Sequence, residues 1–207
     1  GSVFTPYEYY YAWNKINETE KVSNGIAALL TMINGAFSQE RVVAILRDFV
    51  YYPDDATKVI AIVARYPQFF AAQKMFKNIK DHLKPNGDGK GGTYFGATGC
   101  GKTYTMLFLS RLLALRDRDT FKNPTMVIIT DREDLDRQTS ELFVSSKRYL
   151  HENNVRSIES RSDLQKALGV EISEFARVAE EPVDYSVTGV ESGGVFLTTI
   201  QKFCEST

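Results

Sequence analysis

The spacing of apolar side chains predicts helices in the first half of the chain. Apolar runs over residues 26–33 and 42–49 predict two helices, and Ser38 stands where the N-cap of the second belongs. Pro67 suits a first helical position. Behind it, apolar residues recur at intervals of three and four, the period of one helix face: Phe69, Ala72, Phe76, Ile79 and Leu83. Between these helices, the β-branched residues of segment 59–63 predict a strand.

From residue 93 onward, short apolar segments alternate with helical ones. The predicted strands cover residues 93–95, 126–130, 155–158 and 195–198. Helical patterns begin near Lys102, after Asp131 and at Leu164. Strands that alternate with helices indicate a parallel sheet with crossover helices, so the predicted fold class is α/β.

Composition narrows the kind of protein further. The 207 residues are 43% hydrophobic and 25% charged, as in an ordinary globular chain. No apolar run approaches the roughly 18 residues of a membrane span, and the first residues do not resemble a signal peptide. We therefore expect a cytoplasmic protein without a membrane partner. Two cysteines exclude a disulfide scaffold, and with two histidines they are too few for a zinc site. Because the net charge is only -1, the chain as a whole does not attract nucleic acid, and any nucleic-acid binding would depend on local basic patches.

One segment carries a complete phosphate-binding motif, G-x-x-x-x-G-K-[ST]. It consists of Gly96, Ala97, Thr98, Gly99, Cys100, Gly101, Lys102 and Thr103. The glycines let the backbone turn tightly around an anion, and the helix that follows presents its positive end to the same anion. Lys102 is expected to reach the β- and γ-phosphates of ATP, and the Thr103 hydroxyl to hold Mg²⁺. We interpret these two residues as the catalytic ones.

The alternative for this motif is a chance glycine loop. Average residue frequencies give such a match in roughly one chain in a hundred of this length. Here the motif also follows a predicted strand and precedes an amphipathic helix, which is the context that a functional loop requires.

Residues outside the loop bear on the class of nucleotide-binding protein. The candidates are a small-molecule kinase or GTPase-like switch and a nucleic-acid motor. Helicase-like motors place a glutamine upstream of the loop, where its amide can pair with both sides of the adenine edge. Gln68 fits this position, because it carries a donor and an acceptor. The alternative is a solvent-facing glutamine at a helix start.

Polar residues follow two of the predicted strands. Segment 130–138 stands at the end of the strand predicted over 126–130. Segment 198–203 stands in the same way at the end of the strand predicted over 195–198. Hydroxyls and backbone N–H groups at the carboxyl ends of parallel strands are placed to bind a phosphodiester backbone. The acidic residues of 131–136 are better explained as a helix cap than as acid–base catalysts.

Together these segments resemble the restriction (R, HsdR) subunit of type I restriction-modification enzymes. Six motifs carry the resemblance: Phe-Thr-Pro at 4–6, Arg-Asp-Phe-Val at 47–50, Val-Ala-Arg-Tyr-x-Gln at 63–68, the phosphate loop, Thr-Asp-Arg-x-Asp-Leu-Asp at 130–136, and Phe-Leu-Thr-Thr-Ile-Gln-Lys-Phe at 196–203. The resemblance covers nearly the whole chain. The loop is generic, whereas the last two motifs are distinctive together.

The resemblance implies a superfamily 2 motor with two RecA-like domains, which translocates double-stranded DNA at the expense of ATP. It implies that Gln68 reads adenine and that the loop residues hold ATP and Mg²⁺. It also implies that four residues contact the DNA backbone: Thr130, Arg132, Thr198 and Thr199. The parent would be an ATP-dependent type I deoxyribonuclease, with methyltransferase and specificity subunits as partners. The alternative is another superfamily 2 DNA or RNA helicase or translocase.

Two departures from the family pattern shape the expected domain organisation. The Glu-x-Lys of the nuclease motif does not occur in the sequence, and the Asp-Glu pair expected after the strand at 195–198 is not reached. We therefore expect residues 1–65 to be a mainly helical, aromatic-rich linking segment. Residues 66–207 would be a first RecA-like domain, a P-loop fold with a parallel sheet flanked by helices, cut before its Walker B motif. Such a fragment is expected to be inactive by itself.

Overall fold

The computed structural model describes residues 12–17, 24–56, 60–131, 133–168 and 193–201. The chain divides into two compact units, Gly1–Lys122 and Asn123–Thr207. Each unit has its own set of buried residues. No helix within the described ranges has both the length and the apolar character that crossing a membrane would require.

The described part of the first unit contains five helices and a two-stranded ribbon. The helices are α1 (Ile26–Ala36), α2 (Gln39–Asp48), α3 (Tyr66–His82), α4 (Lys102–Leu115) and α5 (Arg118–Phe121). The strands are β1 (Val50–Tyr51) and β2 (Ile62–Val63), which pair antiparallel. Helix α3 packs along α4, and the phosphate loop lies in the segment that joins them.

Aromatic rings form the core of this unit. Phe49, which follows α2, is fully buried, and its ring centroid lies 4.6 Å from that of Phe69 on α3 and 5.5 Å from that of Phe108 on α4. Trp13 covers the other side of Phe69 at a centroid distance of 5.6 Å. Tilted and edge-on contacts of this kind are the arrangements that aromatic pairs favour.

The second unit contains a parallel sheet with helices packed on it. Its strands are β3 (Thr125–Thr130), β4 (Val155–Ser157) and β5 (Gly194–Thr199), and its helices are α6 (Glu133–Val144), α7 (Lys147–Leu150) and α8 (Arg161–Ala167). The spatial order is β3-β5-β4, so the last strand in sequence lies in the middle. All six residues of β5 are buried, as its continuous apolar pattern requires for a central parallel strand.

Helix α8 closes the described core of the second unit. The hydroxyl of Ser160 accepts a hydrogen bond from the backbone N–H of Asp163 at 3.2 Å and so caps the helix. On its buried face, Leu164 packs with Ile158 and Phe196. Burying apolar side chains of this size contributes about 1.5–3 kcal/mol each to the free energy of folding.

Most of the predicted elements are present. The α/β class is confirmed, with a parallel sheet flanked by helices. Helix α3 begins at Tyr66, one residue before Pro67. Ser38 occupies the N-cap position of α2, although its hydroxyl makes no capping hydrogen bond. The predicted boundary after residue 65 stays a prediction.

Two predicted strands differ from the structure. The strand predicted over 59–63 is formed only at Ile62–Val63, and residues 57–59 lie outside the described part. The strand predicted over 93–95 is wrong, because these residues adopt no regular structure and Phe95 is 93% exposed. A strand needs a neighbour for its backbone hydrogen bonds. Within the described ranges the strands pair as β1 with β2, β3 with β5 and β4 with β5, so residues 93–95 pair with none of them.

Candidate nucleotide-binding site

The phosphate loop folds as a tight turn that leads directly into α4. Gly99 and Gly101 have φ angles of 77° and 81°, in the left-handed region that glycine adopts without strain. Between them, the N–H of Cys100 donates to the carbonyl of Ala97 at 3.2 Å. Gly101 is the N-cap of α4, so the first N–H groups of a 14-residue helix face the loop. This combination of turn and helix start is suited to bind an anion.

Lys102 lies across the loop that precedes it. Its ammonium group donates to the carbonyls of Gly96 at 2.6 Å and Ala97 at 3.0 Å. The side chain is exposed, so these carbonyls compete with water for it. An ammonium that holds two loop carbonyls in this way can exchange them for phosphate oxygens. Thr103, half-buried in the first turn of α4, is the next side chain along the helix.

The side-chain amide of Gln68 connects the start of α3 to the phosphate loop, with its oxygen bonded to the first and its nitrogen to the second. The residue is 5% exposed, and its Oε1 accepts from the backbone N–H of Arg65 at 2.9 Å. Its Nε2 donates to the carbonyls of Cys100 at 3.3 Å and Gly101 at 3.1 Å. The sequence predicted Gln68 near the nucleotide, and the structure brings it to the loop. Its amide groups are engaged with the protein backbone there, so pairing with adenine requires these bonds to be exchanged.

Tyr94 and Thr105 support the loop from within the protein, and the sequence analysis did not single them out. Thr105 is buried, and both its N–H and its hydroxyl donate to the carbonyl of Gly101, at 3.1 and 3.3 Å. A Cβ at Gly96 would lie 2.7 Å from Cys100 Sγ and 3.2 Å from the Tyr94 hydroxyl. In the sequence, Thr105 is indicated only by its position: its hydroxyl comes four residues after Gly101, which is about one helical turn.

Partial burial shifts the pKa of the Tyr94 phenol. It raises the pKa of the phenol above its ordinary value, and the neighbouring Cys100 thiol raises the pKa further. Because the ordinary pKa of tyrosine is already about 10, the phenol stays neutral at physiological pH. Tyr94 therefore offers the loop a hydroxyl and no charge.

The predicted DNA contacts lie at the carboxyl ends of β3 and β5 in the second unit. Thr130 pairs in register with Thr199, and its hydroxyl donates to the Thr198 carbonyl at 3.4 Å. Thr198 and Thr199 are 1% and 3% exposed, so in this structure their side chains face the protein interior. Arg132 lies outside the described residues. The structure thus brings the three threonines together at one sheet edge, and their contact with DNA stays a prediction.

A family model described as SWI2/SNF2 ATPase matches residues 67–179, more than half of the chain. The matched range includes the phosphate loop and Gln68. The chain belongs to the SWI2/SNF2 ATPase family.

Three curated proteins are similar in sequence to this SWI2/SNF2 chain. The chain is 29% identical over 207 residues to the type I restriction enzyme HindI endonuclease subunit of Haemophilus influenzae, with 98% of the chain covered. It is also 29% identical, with the same coverage, to the putative MjaVIIP endonuclease subunit of Methanocaldococcus jannaschii. A second putative subunit from that organism, MjaVIIIP, is 24% identical over 80% of the chain.

These similarities confirm the predicted resemblance to type I restriction subunits. The SWI2/SNF2 chain spans 17% of the length of the first two relatives and 15% of the third. It therefore corresponds to a small part of each of these proteins.

Proposed function

We propose that this chain is the nucleotide-binding part of an ATP-dependent DNA translocase within a type I restriction endonuclease subunit. The observation that carries the proposal is the phosphate loop, with Lys102 across it and Gln68 behind it. The membership of the SWI2/SNF2 ATPase family supports the motor, and the names of the relatives support the restriction enzyme. An ATPase family also favours the motor over a small-molecule kinase.

The loop residues fit ATP with Mg²⁺. The left-handed Gly99 and Gly101 keep the backbone free of side chains, and a Cβ at Gly96 or Gly101 would collide with Cys100 or Gln68. Bound ATP would supply the free energy of phosphate transfer. Lys102 would neutralise phosphate charge, Thr103 would offer its hydroxyl to Mg²⁺, and Gln68 would present its amide to adenine.

DNA would meet the second unit at the ends of β3 and β5. Thr130, Thr198, Thr199 and Arg132 would contact phosphates of double-stranded DNA, so binding would be insensitive to sequence. With so few contacts, affinity would be poor at physiological ionic strength and would fall steeply with added salt. The parent enzyme would recognise and cut DNA in a complex with methyltransferase and specificity subunits.

The matched family also supports a broader alternative. A SWI2/SNF2 ATPase model describes the motor and not the restriction enzyme, so the chain would also suit another helicase or translocase acting on DNA or RNA. A comparison of duplex DNA, single-stranded DNA and RNA as ligands at low salt separates a duplex-DNA translocase from a helicase that acts on RNA or on single strands. Preference for duplex DNA supports the restriction motor, and preference for RNA contradicts it.

Calorimetric titration with ATP and Mg²⁺ tests the nucleotide site. We expect weak binding by the 207-residue chain and its loss in the Lys102→Ala variant, because that variant lacks the ammonium over the loop. Lys90→Ala is the matched control: Lys90 is exposed, lies in the segment before the loop and pairs only loosely with Asp88, at 3.6 Å. Equal ATP binding by wild type and Lys102→Ala would refute the site.

A further inference from the structure

Asp48, the last residue of α2, is a buried carboxylate within an ionic cluster. Its side chain is 1% exposed, and Oδ1 accepts from Arg116 Nε at 2.9 Å and lies 2.7 Å from a second nitrogen of the same guanidinium. Oδ2 accepts from Arg47 Nε at 2.9 Å. Arg111 donates to the carbonyl of Arg47 at 3.0 Å and brings its Nε to 3.9 Å from Oδ1. Arg111 lies on α4 and Arg116 is its C-cap, so the carboxylate holds the far half of the phosphate-loop helix.

The residues that follow Asp48 reach the other half of that helix. We call residues 48–51 the brace segment. Phe49 lies between Phe69, the neighbour of Gln68 on α3, and Phe108 on α4. Tyr51 is fully buried, and its ring lies 6.5 Å from that of Tyr104, in the turn of α4 that begins with Lys102. The brace segment therefore contacts α4 from its C-cap to its first turn.

We propose that Asp48 is a positioning residue of the nucleotide site, which sets α4 against α3 and so holds the phosphate loop on Gln68. As far as ATP is concerned, this inference rests on the proposed function. Asp48 lies more than 40 residues before the loop. Its arginine partners on α4 are Arg111 and the C-cap Arg116, at the far half of that helix, so we infer that it acts through the helices.

The physical reason lies in the cost of an incomplete buried ion pair. A buried ion pair adds little net stability compared with apolar packing, whereas removing one partner is strongly destabilising, because the other charge loses its compensation. Without the Asp48 charge, the guanidinium groups of Arg111 and Arg116 would both lose the carboxylate oxygen that lies 3.9 and 2.7 Å from them. Helix α4 would then shift, and the hydrogen bonds from Gln68 to the Cys100 and Gly101 carbonyls would lengthen.

The Cys100 thiol reports this geometry without any nucleotide. It is free and partly buried, and its carbonyl accepts from Gln68. The experiment uses the 207-residue chain with Cys204→Ser, so that Cys100 is the single remaining thiol. The rate of Cys100 modification by N-ethylmaleimide and the Kd for ATP with Mg²⁺ are measured well below the melting temperature, in wild type and in Asp48→Asn.

Two further variants separate positioning from loss of stability. Arg116→Gln removes one partner of the carboxylate and leaves Arg47 and Arg111 beside it, which gives a milder test in a chain that still folds. Phe76→Ala removes the ring that packs on Phe121 at 5.4 Å, so it weakens the same unit at the other end of α3. Phe76→Ala is the control for destabilisation alone.

We expect Asp48→Asn and Arg116→Gln to raise both the modification rate and the Kd, in Asp48→Asn by roughly tenfold, which corresponds to about 1.4 kcal/mol. Phe76→Ala should leave both unchanged at a similar loss of melting temperature. If both cluster variants modify Cys100 at the wild-type rate, or Phe76→Ala raises that rate equally, the positioning role is overturned. If the wild-type chain does not bind ATP, the proposed function fails while the Cys100 rate still decides the role of Asp48.

Discussion

Gly101 meets two separate demands at a single position of the phosphate loop. Its φ of 81° suits glycine, and a Cβ there would lie 2.4 Å from Nε2 of Gln68. Gly99 has nearly the same φ, yet a Cβ there would meet no atom within 4 Å. The motif requires glycine at position 101 and leaves position 99 open, and the structure shows that, of these two glycines, only Gly101 is closed by a neighbouring side chain.

The pair therefore makes a controlled test. Alanine in the left-handed region costs roughly 1–2 kcal/mol at either position. We expect Gly101→Ala to lose about 1 kcal/mol more, because Gln68 must give up a hydrogen bond, and to bind ATP more weakly than Gly99→Ala. Chemical denaturation and calorimetry measure the two effects. Identical losses in the two variants would show that Gln68 does not restrict this position.

The ion pair between Lys80 and Asp117 makes a second residue-scale prediction, on pH. The hydrogen bond from Lys80 lowers the pKa of Asp117, and Thr120 lowers it further through its hydroxyl, 2.8 Å away. A carboxylate whose folded pKa is depressed adds stability above its unfolded pKa, about 3.9, and loses it as the pH falls through the folded pKa.

We expect the Asp117→Asn variant to lack this part of the acid dependence. The comparison is the denaturation midpoint of the first unit at pH 7 and at successively lower pH, in both proteins. Asparagine tolerates the left-handed backbone of this position, φ 53°, so strain does not confuse the result. Parallel pH profiles for the two proteins would mean that the pair does not stabilise the fold.

At the scale of elements, the sequence analysis succeeded where periodicity and local chemistry agreed. Helix α4 begins at Lys102 as predicted, since a left-handed glycine ends the loop and apolar residues follow at helical intervals. The segment at 93–95 failed because three apolar-looking residues do not specify a strand without a partner. The ionic cluster of Asp48 was not predictable either, because two of its three arginines, Arg111 and Arg116, are more than 60 residues away from Asp48 in sequence.

Strand β5 contains a buried hydroxyl group for which the described structure shows no hydrogen bond. Within the described part of the chain, the hydroxyl of Thr198 is buried without a hydrogen-bond partner. Replacing such a group with an apolar one of the same shape relieves its desolvation cost. We expect Thr198→Val to leave the stability of the second unit unchanged or to raise it by up to about 1 kcal/mol.

The same variant tests the proposed role of Thr198 in DNA binding. If its hydroxyl reaches a phosphate when DNA binds, Thr198→Val should weaken binding of duplex DNA in a low-salt titration. Thr125→Val makes the same substitution at the opposite end of β3, where the side chain is exposed, and should leave DNA binding unchanged. Unchanged DNA binding by Thr198→Val would remove this residue from the interface.

At the scale of the whole molecule, the loop and the strand ends belong to different compact units. The sequence identified both sets of residues, and the family match covers the loop and the strand at Thr130. The sequence did not predict that Phe49, which precedes residue 66, would form part of the core. Such packing depends on aromatic partners that are distant in sequence.

We expect the 207-residue chain to hydrolyse no ATP. Phosphoryl transfer in a P-loop motor needs a Walker B aspartate that shares Mg²⁺ with Thr103, and an arginine worth about 10³ to 10⁵ in rate. Among the described residues we assign only Lys102 and Thr103 to this set. A malachite-green phosphate assay, with and without duplex DNA, measures the turnover. A rate of about 1 s⁻¹ or more, abolished by Lys102→Ala, would show that these residues form a complete active site.

ATP bound at this loop should protect Cys100 from chemical modification, because the thiol belongs to the loop itself. The chain with Cys204→Ser is treated with N-ethylmaleimide at increasing concentrations of ATP with Mg²⁺, and modification of Cys100 is followed by mass spectrometry. We expect the rate to fall to a plateau as the site fills, and Lys102→Ala to show no such dependence. A Cys100 rate that stays constant up to about millimolar ATP would show that ATP does not bind at the loop.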